Sequence, residues 1–228
     1  LVEFCGESQS GKTWLAMKHA VEYQQRGLPV AFLNIENTFD EDRANAIGLN
    51  TRDENLWWLV EDMGSGDKWA DALAAIVDSG EFALVIVDSI TALIPREHYE
   101  RSFSDGAVIG VQARMVGMLT QRLTSLCKRR NVTTILINQF RMATVKVGLK
   151  DTYVKKSAGG ESIGFFCHMR FWINKVNGLK GIVFSKDGKD RLAGTSIIEL
   201  IKTRYSTPGL KTEFKIPFGD YEGDPVNE

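Results

Sequence analysis

The residues best placed to do chemistry stand near the start of the chain, as the octet Gly6-Glu7-Ser8-Gln9-Ser10-Gly11-Lys12-Thr13. The octet follows a predicted strand and opens a predicted helix, which is the setting of a phosphate-binding loop. Its glycines let backbone N–H groups turn toward phosphate oxygens, and the helix N-terminus adds about half a positive charge. Lys12 is expected to reach the β- and γ-phosphates, and the Thr13 hydroxyl to ligate Mg²⁺. The alternative is a glycine turn beside a chance lysine.

A carboxylate stands where a metal ion could be held beside bound phosphates. Asp88 directly follows Ala83–Val87, an apolar run that predicts a buried strand. Ligands of open parallel sheets bind at the carboxyl ends of the strands, so Asp88 is expected to hold Mg²⁺ through water. The alternative is an ordinary aspartate at a strand end.

Two further polar residues follow predicted strands and should reach the same edge. Glu36 comes after Val30–Ile35, and it could deprotonate or orient an attacking water. Gln139 comes after Val132–Ile137, and its amide could hydrogen-bond a γ-phosphate and report it to the segment that follows. Spacing alone leaves open that Glu36 is a solvated carboxylate and that Gln139 is structural.

The elements that would position these residues alternate between strand and helix. Leu1–Cys5 and the three apolar runs above predict strands, and residues 12–26, 68–79 and 106–130 predict helices, the last broken by Gly110 and Gly117. This order predicts an α/β fold with a mostly parallel twisted sheet flanked by helices. Extra strands are predicted toward the C-terminus, at His168–Asn174, Gly181–Phe184, Thr195–Lys202 and Lys211–Ile216.

Residues 143–162 differ in texture from the rest of the chain. They are polar, basic and glycine-containing, and they show neither helix nor strand periodicity. A loop of that length inside a domain is usually functional or mobile. No repeat and no linker is found, so residues 1–228 are predicted to form a single domain.

Composition excludes several classes of protein. The chain is 43% hydrophobic, and no apolar run approaches the ~20 residues of a membrane span. Its three cysteines are far apart, which argues against a disulfide framework and favours a reducing, cytoplasmic location. The net charge of −1 hides an asymmetry, since residues 1–100 carry a net −11 and residues 101–228 a net +10. That asymmetry suggests an anionic partner for the C-terminal half, or two halves that offset each other.

Taken in order, these segments resemble the RecA/UvsX family of homologous-recombination ATPases. The resemblance covers about residues 1–218 and rests on GESQSGKT at 6–13, AFLNIENTFD at 31–40, LVIVDSITAL at 84–93, ARM at 113–115, LINQFRM at 136–142, AGG at 158–160 and IKTR at 201–204. It implies a RecA-like P-loop NTPase fold and a DNA-dependent ATPase that uses ATP and Mg²⁺. The implied partners are single- and double-stranded DNA and further copies of the chain in a helical filament. The implied location is the nucleoid or an infected host cell.

The resemblance also implies roles for the nucleotide-site residues. Glu36 matches the glutamate that activates water, and Asp88 matches the Walker B aspartate. Gln139 matches the glutamine that couples the γ-phosphate to a DNA-binding loop. Asp40 matches an aspartate near the adenine, and Arg43 stands where bacterial members usually place a tyrosine against the base.

Two DNA-binding loops are implied, at about Glu100–Gly110 and Ala143–Gly159. The positions that match contacts to the DNA backbone are Arg114, Gly159 and Gly160. Electrostatic affinity is expected from Lys146, Lys150, Lys155 and Lys156. From composition alone, those lysines would equally suit a solvated mobile loop.

Lys202 and Arg204 match a basic pair that contacts the γ-phosphate held by the neighbouring protomer. Two cations supplied in trans would stabilise transition-state charge as an arginine finger does, whereas the alternative is two exposed strand residues. The polymerisation segment and small C-terminal domain of the family are not matched, so a core or fragment is expected, with filament formation by the full-length protein. Other functions that remain open are a helicase or branch-migration motor with the same core, and an ATP-gated regulatory protein.

Overall fold

The structure, a computed structural model, describes residues 1–100, 110–147 and 150–218. Within those ranges the strands are β1 (Val2–Gly6), β2 (Val30–Asn34), β3 (Trp57–Val60), β4 (Leu84–Asp88), β5 (Thr133–Val147), β6 (Lys150–Ser157), β7 (Met169–Lys175), β8 (Ile182–Phe184), β9 (Arg191–Thr203) and β10 (Lys211–Pro217). The helices are α1 (Lys12–Gln25), α2 (Glu41–Ala46), α3 (Gly66–Ser79), α4 (Arg96–Tyr99), α5 (Val111–Arg130) and α6 (Ser162–Phe166). None of these described helices is both long and apolar enough to cross a membrane.

The strands form one mixed sheet in the order β10-β9-β7-β1-β5-β4-β2-β3. The strands from β7 to β3 run parallel to one another, whereas β9 is antiparallel to β7, β8 and β10. The predicted class, a mostly parallel sheet with antiparallel strands toward the C-terminus, is therefore confirmed. Parallel strands end at the same edge, so the residues that follow β1, β2, β4 and the first part of β5 are brought together.

The sheet is covered on both faces, as a parallel sheet must be. Along β4, Leu84 and Ile86 pack on the side of α1, whereas Val85 and Val87 pack on the side of α3 and α5. All four side chains are fully buried. This alternation fixes the register of the central strand, because a shift of one residue would exchange the two faces.

The helix predicted over 106–130 is continuous from Val111, and Gly117 does not interrupt it. A side chain at Gly117 would place its Cβ 2.9 Å from the Ser162 hydroxyl oxygen. This glycine therefore lets α6 pack closely on α5, and the predicted break there is wrong. Positions 106–109 of the predicted helix lie outside the described residues.

The segment predicted as a loop over 143–162 is mostly regular structure, so that prediction is wrong. Strand β5 continues to Val147, and β6 pairs antiparallel with it from Phe140–Ser157 to Val147–Lys150. Helix α6 then begins at Ser162. Residues 140–147 of β5 and residues 150–157 of β6 are called the hairpin from here on. The side chains described on these two segments are all exposed or only partly buried. They therefore lack the alternation of apolar and polar side chains that marks a half-buried strand.

Candidate functional site

The predicted nucleotide-binding residues meet at the carboxyl edge of the parallel strands. The octet connects β1 to α1, and Asp88 ends β4. The Thr13 hydroxyl donates a hydrogen bond to Asp88 Oδ2 at 2.6 Å. The Gln139 amide donates to Glu36 Oε1 at 3.2 Å. Four residues that are far apart in sequence thus form two directly bonded pairs.

Two glycines of the octet allow neighbouring residues to pack directly against its backbone. At Gly6 an added Cβ would lie 2.1 Å from the Ile173 carbonyl oxygen, and at Gly11, where φ is +85°, it would lie 2.1 Å from Ile216 Cδ1. Only glycine fits at these two positions. The Ser10 hydroxyl is fully buried and has no hydrogen-bond partner in the described structure. An orphaned hydroxyl in a glycine cradle at the start of a helix fits a phosphate oxygen.

Lys12 places a buried cation in the loop. Its Nζ donates to the carbonyl oxygens of Glu7 at 2.6 Å and Gly6 at 3.3 Å. Burial lowers the pKa of the Lys12 ammonium, and the charges of Asp88 and Glu36 oppose that shift. These carbonyl oxygens hold the ammonium where an incoming phosphate can replace them.

Asp88 is the buried carboxylate of the site. Burial raises its pKa to about 6, the hydrogen bond from Thr13 opposes the shift, and the nearby charge of Glu36 adds to it. A divalent cation would favour the ionised form instead. Hydroxyl and carboxylate oxygens are the ligands that Mg²⁺ prefers, so Thr13 and Asp88 fit the predicted metal role.

Glu36 is oriented from several sides. The Ser89 hydroxyl donates a short hydrogen bond to Glu36 Oε1, the same oxygen that accepts from Gln139. The backbone N–H groups of Ile35 and Glu36 both donate to the Asp88 carbonyl oxygen, at 2.8 and 3.1 Å. Glu36 is therefore a positioned carboxylate rather than a freely solvated one. The contact from Ser89 was not predicted, and the only hint of it in the sequence is that Ser89 directly follows Asp88.

A pocket of about 510 Å³ opens beside the phosphate loop. Asp40 and Arg43, which are expected near the adenine, both line it, and the Asp40 carboxylate accepts from the Arg43 backbone N–H at 3.0 Å to cap α2. The aromatic residues that line the pocket were not predicted from the sequence. Trp14 and Phe218 line the pocket, and Trp14 stacks on Phe214 with ring centroids 5.9 Å apart. The available signals were a tryptophan directly after the octet, one phenylalanine in the last strand and another directly after that strand.

The predicted DNA-binding residues lie on the hairpin and beside it. A Cβ at Gly160 would lie 3.2 Å from Ala113 Cβ, so the Gly159–Gly160 pair packs on the first turns of α5, the helix that carries Arg114. Among the lysines, Lys146 is exposed, whereas two others are already paired. Those two are Lys155, whose ammonium lies 2.5 Å from the Glu7 carboxylate, and Lys156, which lies 3.1 Å from Glu161. The side chain of Lys150 and residues 101–109 of the first predicted loop lie outside what the structure describes.

Lys202 and Arg204 both contact the end of α6. Lys202 Nζ donates to the carbonyl oxygens of Gly164 at 2.6 Å and Phe165 at 2.8 Å, and Arg204 donates to Phe165 at 3.1 Å. Burial, followed by the neighbouring charge of Arg204, lowers the pKa of Lys202.

These two cations lie beside the amino-terminal end of β1, whereas the octet lies at its carboxyl end. Thr203 pairs with Met169, which pairs with Val2, whereas the octet begins at Gly6. Four residues of strand separate the two ends by about 13 Å.

A buried polar network that sequence reasoning missed supports the hairpin. Glu3 is fully buried on β1, and Arg170 donates to its Oε2 at 2.5 Å. Asn138 donates to Glu3 Oε1 at 2.7 Å and to the Ala158 carbonyl oxygen at 3.0 Å. Arg170 also donates to the Ser157 hydroxyl at 2.8 Å. The only sequence signal was a single carboxylate inside an apolar strand.

Comparison with known proteins decides the family. The family model described as the RecA N-terminal domain matches residues 1–222. This chain belongs to the RecA N-terminal domain family. The RecA protein of Syntrophus aciditrophicus (strain SB) is 31% identical to it over 220 residues, and that of Sulfurovum sp. (strain NBC37-1) is 32% identical over 222 residues. Each alignment covers 96% of this chain and 60% of the relative, so the chain spans about 60% of the length of these relatives.

A solved structure supports the same fold. The RadB recombinase superposes with a TM-score of 0.64 at 24% identity, covering 94% of this chain and 86% of the other. The RecA-like architecture that the sequence predicted is thereby confirmed.

Proposed function

We propose that this RecA-family chain is the core of a DNA-dependent ATPase and recombinase. It binds single-stranded DNA as a filament, promotes pairing and strand exchange with a homologous duplex, and hydrolyses ATP between protomers. The observation that carries the proposal is the position of Gln139. Its side chain bonds to Glu36 at the nucleotide edge, while its own carbonyl oxygen accepts from Ala158, where the hairpin returns.

The hydrolytic step uses groups that already face one another. Lys12 and the loop N–H groups would hold the phosphates, and Thr13 and Asp88 would hold Mg²⁺, which would neutralise charge on the phosphate oxygens. Glu36 would accept a proton from the attacking water as the water oxygen bonds to the γ-phosphorus and the bond from that phosphorus to the bridging oxygen breaks, which yields ADP and phosphate. Gln139 then loses the γ-phosphate that it senses, and the hairpin returns to its nucleotide-free arrangement.

Lys202 and Arg204 act on the nucleotide of a neighbouring protomer. Their position beside the amino-terminal end of β1 keeps them from the octet of their own chain and suits contact across a subunit interface. In that interface they exchange the α6 carbonyl oxygens for phosphate oxygens, which are stronger acceptors for a cation. Assembly therefore completes each active site.

The first test is ATP hydrolysis with and without single-stranded DNA over a range of protein concentrations. Stimulation that rises cooperatively with protein supports the proposal. A flat, low rate with intact nucleotide binding would instead favour a different RecA-core motor or an ATP-gated regulator.

A mixing experiment tests the shared site. The Lys12→Ala variant and the Lys202→Ala/Arg204→Ala variant are each expected to be inactive. An equal mixture restores up to about a quarter of the wild-type rate, because one interface in four joins an intact loop to intact cations. No recovery in assemblies that contain both variants would refute action in trans.

A further inference from the structure

Glu7 is attached at once to the phosphate loop and to the hairpin. Its carbonyl oxygen accepts from Lys12 Nζ at 2.6 Å. Its carboxylate accepts from Lys155 Nζ at 2.5 Å, and that ammonium also lies 5.7 Å from the centre of the Phe140 ring. Glu7 thus contacts both Lys12, which is expected to bind phosphate, and Lys155, which is expected to bind DNA.

We propose that Glu7 is a positioning residue that withholds Lys155 from DNA until a nucleotide binds. The inference rests on the proposed function and deepens it. In the nucleotide-free protein the Glu7–Lys155 pair fastens β6 to the phosphate loop and masks one cation of the hairpin. Nucleotide binding releases the pair and makes that cation available to the DNA backbone.

Two effects of a bound nucleotide act against the pair. Lys12 exchanges the Glu7 carbonyl oxygen for phosphate, which removes a restraint on the backbone at Glu7. The phosphates also bring negative charge close to the Glu7 carboxylate and repel it. Both partners are partly exposed, with 46% of the Lys155 side chain and 41% of the Glu7 side chain accessible. Pairs of this kind are weak, so a small displacement is enough to separate them.

The neighbouring lysine provides a matched control. Lys156 pairs with Glu161 at 3.1 Å, and 91% of the Glu161 side chain is accessible. Lys156 lies on the same hairpin strand as Lys155, whereas Glu161 lies at the start of α6. Among the described contacts, neither Lys156 nor Glu161 bonds to the octet. Neutralising Glu161 should therefore free a cation equally with and without nucleotide.

The experiment measures binding of a fluorescent single-stranded oligodeoxythymidylate across a salt series, with and without a non-hydrolysable ATP analogue and Mg²⁺. Glu7→Gln is expected to tighten nucleotide-free binding about two- to fivefold. It should also steepen the plot of log affinity against log salt by about 0.7, the contribution of one extra phosphate contact on a single strand. With the analogue bound, neither quantity should change. Glu161→Gln should change both quantities in both states.

Two further readouts separate coupling from a general effect of charge. In a Lys155→Ala background, Glu7→Gln should have no further effect on DNA binding. The coupling between two binding sites is reciprocal. Glu7→Gln must therefore reduce the effect of nucleotide on DNA affinity, and it must reduce the effect of DNA on nucleotide affinity by the same factor.

Each remaining outcome has a distinct meaning. Equal effects of Glu7→Gln in both nucleotide states, or none in either, overturn the role of Glu7 while leaving the proposed function intact. Loss of nucleotide binding in Glu7→Gln also overturns it, because the residue would then act only through the phosphate loop. If the wild-type chain binds no single-stranded DNA in either state, the proposed function and the coupling fall together.

Discussion

Removal of Arg170 should destabilise the protein far more than the loss of an ordinary ion pair. Glu3 is fully buried, and only 16% of the Arg170 side chain is accessible. The substitution Arg170→Met keeps a long apolar stem but leaves the Glu3 carboxylate without its guanidinium. The Ser157 hydroxyl at the end of β6 loses a donor as well.

The size of the effect follows from burial. Breaking a buried pair by removing one partner costs about 3–5 kcal/mol, because an uncompensated charge remains in the interior. For a domain of this size, that corresponds to a fall in Tm of roughly 6–20 °C. The double variant Glu3→Gln/Arg170→Met should recover more than half of the loss, since the amide oxygen still accepts from Asn138 and no charge is left behind.

Urea unfolding followed by tryptophan fluorescence and by far-UV circular dichroism measures these free energies, provided that the two transitions coincide. Arg26→Met is the control, because Arg26 lies 3.8 Å from Glu22 with 69% and 63% of the two side chains accessible. It should change stability by less than about 0.5 kcal/mol. A cost below about 1 kcal/mol for Arg170→Met, or a double variant no more stable than the single one, would refute the reasoning.

Three further outcomes are expected. Lys12→Ala should weaken nucleotide binding about 10- to 100-fold by removing a charge-assisted contact to phosphate, as measured by titration with a fluorescent ATP analogue. Gln139→Ala should bind ATP normally but lose its effect on DNA, and retained DNA-stimulated hydrolysis would contradict the coupling role. Folded Asp88 keeps its proton to about pH 6, whereas an unfolded aspartate loses it near pH 3.8. The stability contributed by Asp88 is therefore present below pH 3.8 and lost as the pH rises to about 6. Ionisation of folded Asp88 creates the Mg²⁺ ligand, so Mg²⁺-dependent nucleotide affinity should rise as the pH passes through about 6. Asp88→Asn should abolish both trends, in pH-dependent melting and in pH-dependent binding.

The nucleotide edge could be predicted from sequence because parallel strands share a carboxyl edge. Each of Glu36, Asp88 and Gln139 stands at or just beyond a short apolar strand, so their convergence required no knowledge of distant contacts. The octet carried its own signal in its glycines and lysine. The three long helices α1, α3 and α5 could be predicted, as the apolar spacing of Trp69, Leu73 and Val77 along one face of α3 illustrates. The short helices α2, α4 and α6 were not predicted, because four to six residues are too few to show a helical period.

The remaining features depend on contacts that no local pattern encodes. Strand β3 was missed because Trp57–Val60 is too short to show a period. The hairpin was missed because its faces do not alternate between core and solvent. The partners of Glu3 and Glu7 are 167 and 148 residues away, so only the fold shows that one carboxylate is neutralised inside the sheet and the other at its surface.

Because the octet and the Lys202–Arg204 pair lie at opposite ends of β1, an assembly in which one contacts the other is polar. On the proposed assignment, an isolated chain binds nucleotide without completing a catalytic centre, and every added chain completes one. The rate of ATP hydrolysis should then be proportional to the number of subunit interfaces rather than to the number of chains. The two ends of any assembly also differ chemically, since one presents an unfinished nucleotide site and the other a pair of unused cations. Growth and loss of subunits are therefore expected to proceed at different rates at the two ends.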